Sequence, residues 1–209
     1  MAVIVAVPVI GMTIIAPALT IIKNDLNISF ENTQLILTLY FTFLAFGQIL
    51  SGPFSDKYGR KPILLLGASI YAVSAFFASL SSNIEILLIL RCFQGFGAAA
   101  CLSVGRTILS DCYEIKEAAK EMSKMTAIMA VIPISCFIFG GFLAEFLGWR
   151  TNLLALGLIS LILIIAMSFL LNETLIKKAK KISFKKMFIV YRGLLKNLSF
   201  NFFTITTAM

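Results

Sequence analysis

Six long apolar runs separated by short polar connections dominate this 209-residue chain. They fall near residues 3–22, 34–52, 62–81, 84–105, 124–146 and 151–171. Each can supply the about 20 residues that cross a ~30 Å hydrocarbon core as a helix. Helices are predicted and strands are not, because an open strand in lipid leaves backbone N–H and C=O groups unpaired. The expected fold is all-α and integral to a membrane, with six transmembrane helices over residues 1–172. A basic segment at 173–199 reads as a cytoplasmic linker. After it, Phe200-Asn201-Phe202-Phe203-Thr204-Ile205 opens another apolar run that stops within ten residues, at 209. Ten residues are too few to span, so 200–209 reads as the start of a seventh helix.

Charge adds an orientation. The net charge of +8 could suggest a nucleic-acid binder, but the basic residues are not gathered on one patch. Three lie in 51–62 (Lys57, Arg60, Lys61), four in 106–124 and eight in 172–199. These fifteen of the eighteen cations all occupy alternate connections. The opposite connections hold only Lys23 and Arg150, and Arg91 falls inside a run. Cations accumulate on the cytoplasmic side of a membrane protein, which predicts a multi-pass protein of the cell (inner) membrane with both ends cytoplasmic. The tail fits two roles: a solvated basic face along Ile182–Leu195 drawn to anionic lipid, or a linker between two membrane units. The absence of His excludes His-based metal sites and Ser-His or Cys-His catalysis, and the four cysteines show no paired spacing. Ala16-Pro17-Ala18 imitates a signal-peptidase site, yet no basic region precedes Val3. No metal, cofactor or nucleic-acid partner is expected, and no nucleophile–base pair or phosphate loop suggests an enzyme.

Two segments carry more information than hydropathy. The first, Gly52-Pro53-Phe54-Ser55-Asp56-Lys57-Tyr58-Gly59-Arg60-Lys61-Pro62, reads as a tight, stiff turn. Pro62 suits the first turn of a helix, and Asp56 lies among three cations near that helix's positive end. The second surrounds Arg91, about 10 Å into the fourth span at 1.5 Å per residue. An Arg at the centre of a span costs roughly 2.5–3.5 kcal/mol on insertion scales. It reads either as a functional charge facing other helices or as a side chain snorkelling to the interface. Gln94 and Gly95 follow at i+3 and i+4, so a charge, an amide and a gap share one face.

The first segment, with Gly52, Asp56, Gly59 and Arg60, resembles the signature between helices 2 and 3 of major-facilitator transporters, with Phe54 where Leu is usual. Arg91-Cys92-Phe93-Gln94-Gly95 resembles that superfamily's helix 4 signature. Arg106-Thr107-Ile108-Leu109-Ser110-Asp111 resembles its continuation in bicyclomycin-resistance type drug exporters. Pro133, Gly140 and Gly141 match the exporters' helix 5 pattern, with Phe137 in place of a second proline. Gly148-Trp149-Arg150 matches a further family tripeptide, while Thr13 stands where these exporters carry an Asp. The resemblance implies the N-terminal six-helix half of that fold. It also implies that Asp56 belongs to a latch with the C-terminal half, and that Arg91 contacts helix 1 and takes part in proton coupling.

The expected function is secondary transport, with proton-driven efflux of small apolar or cationic compounds first. Uptake or exchange of a metabolite by the same fold is one alternative. A truncated remnant, or a half-transporter that needs the missing half or a second copy, is the other. Gly52, Asp56, Gly59 and Arg60 are the expected gating loop. Arg91, Gln94, Thr13, Thr38, Thr42 and Ser135 are the expected coupling and cavity residues, and Gly95, Pro133, Gly140 and Gly141 the packing and hinge positions. The expected partners are the bilayer, a small-molecule substrate, protons and the second half.

Overall fold

The computed structural model describes residues 2–175 and Gly193. The elements are α1 (Ala2–Thr13), a 3-10 turn (Ala16–Ala18), α2 (Leu19–Asp25), α3 (Phe30–Tyr58), α4 (Arg60–Ser79), α5 (Ile84–Cys112), α6 (Ile115–Leu147) and α7 (Trp149–Leu170). They belong to one compact unit, Met1–Lys178. The expected linker beyond 175 and the expected seventh helix lie outside the described residues, Gly193 excepted. By length and composition there are six membrane-crossing segments among the described residues, the first being Val3–Asp25. The six predicted spans are therefore present.

Their ends differ from the hydropathy reading in an instructive way. Both α3 and α5 run 29 residues and α6 runs 33, because a helix continues past the apolar core until something in the chain stops it. Ser29 starts α3 by accepting from the Asn32 N–H at 3.3 Å, and Asn83 starts α5 by accepting from the Glu85 N–H at 2.9 Å. The segment expected as a tight turn is corrected: residues 52–58 are the last turns of α3, and the whole connection to α4 is Gly59. Its φ of 115° is a conformation that only glycine adopts readily. Pro62 does fall in the first turn of α4.

The first span is also not one helix. Pro17 has no N–H to give the Thr13 carbonyl, and the Ala18 N–H bonds Ile15 O at 3.0 Å in a 3-10 turn. The Ile14 carbonyl is thereby freed from the helical ladder.

Helix α5 is the hub, packed along α3, α4 and α1, while α4 also meets α7 and α1 meets α6. Small residues permit this closeness. An added Cβ on Gly95 would collide with the Tyr40 carbonyl oxygen of α3, and one on Gly140 with the Ile14 carbonyl oxygen. Packing of this kind drives association where lipid offers no hydrophobic contrast. No residue-level repeat is evident along the sequence, but the contacts show one. The α3–α5 and α6–α1 contacts exchange when the first three spans are mapped onto the last three. The single-residue connection at Gly59 likewise has its counterpart at Gly148, with φ 85°. Inverted three-helix repeats of this sort build each half of several transporter folds.

Candidate functional site

Two polar clusters stand out, one deep in the bundle and one at the end where the basic connections gather. The deep cluster centres on Arg91, which is fully buried together with Gln94. Its Nη1 donates to Gln94 Oε1 at 2.7 Å, and both terminal nitrogens reach the Gly11 carbonyl of α1 at 3.3 and 3.4 Å. The guanidinium lies 5.1 Å from the Tyr40 ring centroid, within cation–π range. Tyr40 in turn donates to the Pro8 carbonyl at 2.9 Å. Gly11 is required here, since a Cβ would collide with the Tyr71 hydroxyl.

Arg91 makes no ion pair among the described residues. A guanidinium is always charged, so the bundle holds a permanent cation solvated by a carbonyl, an amide and an aromatic face. That arrangement ties α5 to α1 and α3, and any shift of the first span against α5 disturbs the charge's few contacts. The snorkelling alternative for Arg91 is thereby set aside.

The second cluster centres on Arg60, 7% exposed. It donates to Asp56 Oδ1 at 2.5 Å, Ser55 Oγ at 2.7 Å and Asp111 Oδ2 at 3.1 Å. Glu173, just past α7, accepts from the Arg60 backbone N–H at 2.9 Å and from that of Leu175 at 3.1 Å. Partial burial pushes the Glu173 carboxyl up, but these and neighbouring backbone N–H groups hold it below the usual glutamate range. Glu173 also occupies the space that a Cβ on Gly59 would need. The positive φ demands glycine, and a larger residue would also displace the Glu173 carboxylate. The cluster fastens α3, α4, α5 and the chain after α7 at one point.

The remaining predicted residues are dispersed. Thr13 is buried, with its hydroxyl on the Val9 carbonyl at 2.7 Å. Thr38 and Thr42 are exposed and bond carbonyls of their own helix at 3.1 and 2.8 Å, and Ser135 is exposed. The structure brings Arg91, Gln94 and Gly95 to one place, and Asp56, Gly59 and Arg60 to another; it does not join Thr38, Thr42 and Ser135 to either. Gly52 faces open space, Pro133 sits within α6, and a Cβ added to Gly141 would lie 3.6 Å from the Pro17 ring. Tyr40, Tyr71, Gly11 and Glu173 were not singled out from the sequence. The two tyrosines were legible in principle, as polar-tipped aromatics inside spans, but Glu173 was not, because its partner lies 113 positions away.

A six-span bundle with a sealed arginine against a broken first span, and two inverted three-helix repeats each turned at a single glycine, has the architecture found in halves of secondary transporters. The chain belongs to the major facilitator superfamily, whose family model matches residues 1–209. It is 32% identical over 167 residues to a bicyclomycin resistance protein homolog of Haemophilus influenzae, covering 80% of this chain and 42% of that protein. It is 34% identical over 150 residues to a chloramphenicol resistance protein of Pseudomonas aeruginosa, covering 71% and 36%. The chain thus spans less than half the length of these relatives. Among solved structures, a bacterial homolog of the human lysosomal transporter Spinster, inward-facing and unoccupied, aligns with TM-score 0.72 and 20% identity. That alignment covers 82% of this chain and 42% of the other. The human organic anion transporter MFSD10 aligns with TM-score 0.60 and 19% identity, covering 89% and 50%. At these identities the two structures speak for the fold.

Proposed function

We propose that this chain is one six-helix half of a proton-driven exporter of small apolar or cationic compounds, seated in the cell membrane with both ends cytoplasmic. The observation that carries the reading is the sealed Arg91 contact with the first span, in a chain whose relatives bear drug-resistance names. Substrate in such folds is held near the midplane between two halves. The exposed Thr38, Thr42 and Ser135 are candidates for that wall, while Arg91 and Gln94 act from behind it. The basic connections support the orientation, since three-quarters or more of the cations fall on one side. The Asp56–Arg60–Asp111 cluster on that side is the proposed gating element.

Because the chain spans 42% of one relative and 36% of another, a second six-helix unit is proposed as its partner, whether continuous with it or a separate copy. Accumulation of chloramphenicol and of a lipophilic cation, measured in an efflux-deficient bacterium carrying the protein with its second unit, tests the proposal. Export predicts lower accumulation that a protonophore restores. Higher accumulation reverses the direction and favours the uptake alternative, and indifference to the protonophore removes proton coupling.

A further inference from the structure

The end of the bundle opposite the basic cluster holds a second clamp. Asp25, the last residue of α2, accepts from Trp149 Nε1 at 3.0 Å and from Arg150 Nη1 at 2.7 Å. Arg150 also donates to the Ser81 carbonyl, at the end of α4, at 3.1 Å, and its guanidinium lies 4.3 Å from the Trp149 ring centroid. One turn further along α7, the fully buried Asn152 donates through Nδ2 to the Ile14 carbonyl at 2.8 Å and to the Gly140 carbonyl at 3.0 Å. The Ile14 carbonyl is the group that the Pro17 break frees. The first turn of α7 therefore grips both ends of the segment from the break to Asp25.

The repeat gives this arrangement a second, independent support. At the basic end, a glycine of positive φ (Gly59) is followed by Arg60, which holds Asp111 in the last turn of α5. At the opposite end, Gly148 is followed two residues on by Arg150, which holds Asp25 in the last turn of α2. Spans one and four are equivalent in the three-helix mapping, so one device occurs in both repeats. At the basic end it serves a segment with a family signature, while at the far end it sits beside a cavity of about 520 Å³ between α2 and α3. That cavity is lined by Thr20 and Lys23 of α2 and by Thr33, Gln34 and Thr38 of α3, with Leu19, Phe30 and Leu37.

We propose that Trp149, Arg150 and Asn152 are positioning residues that fix α2 as a separate half-helix and so set the width of the cavity between α2 and α3. An exposed ion pair alone contributes little. The indole N–H, the carbonyl contact and the buried amide make this a geometric constraint on α2 rather than a surface charge pair. The clamp stands or falls independently of what the protein carries.

The test is cysteine labelling of the full chain in membranes. A Thr33→Cys reporter lies buried on α3 in the cavity wall, and a Ser110→Cys reporter lies on exposed surface at the basic end. Labelling by a water-soluble maleimide is measured for each, with the unreplaced chain as background for the native thiols. Asp25→Leu and Asn152→Leu should each raise the Thr33→Cys rate by about threefold or more, the size that loss of net hydrogen bonds imposes on a local equilibrium. The Ser110→Cys rate should not change. Asp25→Asn, whose amide oxygen still accepts from Trp149 and Arg150, should label like the parent, which guards against a variant that merely fails to fold. Unchanged Thr33→Cys labelling in both leucine variants overturns the clamp. An equal rise at both reporters also overturns it, because the three residues would then hold the fold generally and not α2.

Discussion

Gly97 gives the most direct test of how this bundle is packed. It lies on α5 facing α4, and a Cβ there would sit 2.5 Å from the Gly67 carbonyl oxygen and 2.7 Å from the Tyr71 nitrogen. Favourable non-bonded contact begins near ~3.5 Å, so Gly97→Ala needs the two helices to part by about 1 Å. Both obstacles are backbone atoms, which cannot rotate away as a side chain would. Overfilling a packed interior costs about 1–3 kcal/mol, and alanine's helix propensity returns up to about 1 kcal/mol. The expected net loss is about 0–2 kcal/mol. For a chain of this size each kcal/mol moves the melting temperature by about 2–4 °C, so the variant should melt up to about 8 °C lower. The single tryptophan, Trp149, is buried, and its fluorescence on heating in detergent provides the readout. Gly141→Ala is the matched control: it is also helical, but its added Cβ would meet only the Pro17 ring, at 3.6 Å, an ordinary contact distance. Propensity should raise its stability by about 0.5–1 kcal/mol. If Gly97→Ala melts together with or above Gly141→Ala, the α4–α5 crossing is not limited by backbone contact and the reasoning fails.

Four other substitutions, at three residues, address the polar clusters. Arg91→Ala strands Gln94 Oε1 in the interior at about 1–3 kcal/mol and should abolish substrate movement while membrane insertion, read by fractionation, persists. Arg91→Lys keeps the charge but loses the two-nitrogen reach to Gly11, so normal transport by either variant removes Arg91 from the mechanism. Asp56→Asn leaves Arg60 on Ser55 and Asp111 and, because Asp56 is itself half-exposed, should cost no more than about 1 kcal/mol of stability. Its turnover in vesicles should fall more than its substrate affinity, and equal losses would count against a gating role. Glu173 is held below the usual glutamate range in the folded chain. Its contribution is therefore complete above that range and is lost as pH falls through the lower, folded value. A melting-versus-pH profile should drop at the acid end for the parent and be flatter there for Glu173→Gln.

What was legible in the sequence was whatever lipid writes directly onto it. A span must be apolar along about 20 residues, so six spans could be counted. The sealed Arg91 was visible because a charge in such a run is conspicuous, and Gln94 and Gly95 followed from helical spacing. The segment expected to gate was misread in form: two glycines and two prolines suggested a turn, whereas Pro53 is accommodated inside α3 and Gly59 alone reverses the chain. A proline removes one helical hydrogen bond, and a helix with neighbours can absorb that loss. The break at Ile14–Ala18 was missed because hydropathy is blind to a freed carbonyl. Asn152 was passed over too, since a single amide in an apolar run has meaning only beside that carbonyl.

The two clusters together suggest how movement can be confined. Arg60, through Asp56, Asp111 and Glu173, fastens α3, α4, α5 and the chain after α7 at the basic end. The turn at 149–152 fastens α2, α4, α6 and α7 at the other. Between them α1 is held by apolar packing, close glycine contacts, the Tyr40–Pro8 bond of 2.9 Å and the Arg91–Gly11 contact. The last has distances of 3.3 and 3.4 Å, beyond the usual N–H···O range of about 2.7–3.2 Å. Packed interiors resist continuous deformation. Any motion of the first span should therefore concentrate in α1, on the N-terminal side of the break that Asn152 pins at Ile14. The permanent charge of Arg91 sits against that place, so displacement of the first span alters the solvation of a cation that cannot be neutralised by losing a proton. Under the proposed proton-driven reading, Arg91 senses the position of α1 without itself carrying a proton, and replacing Thr13 by Asp should add a counter-charge beside the break and make transport more steeply pH-dependent. An unchanged pH profile for Thr13→Asp, in a variant that still transports, would separate Arg91 from proton coupling altogether.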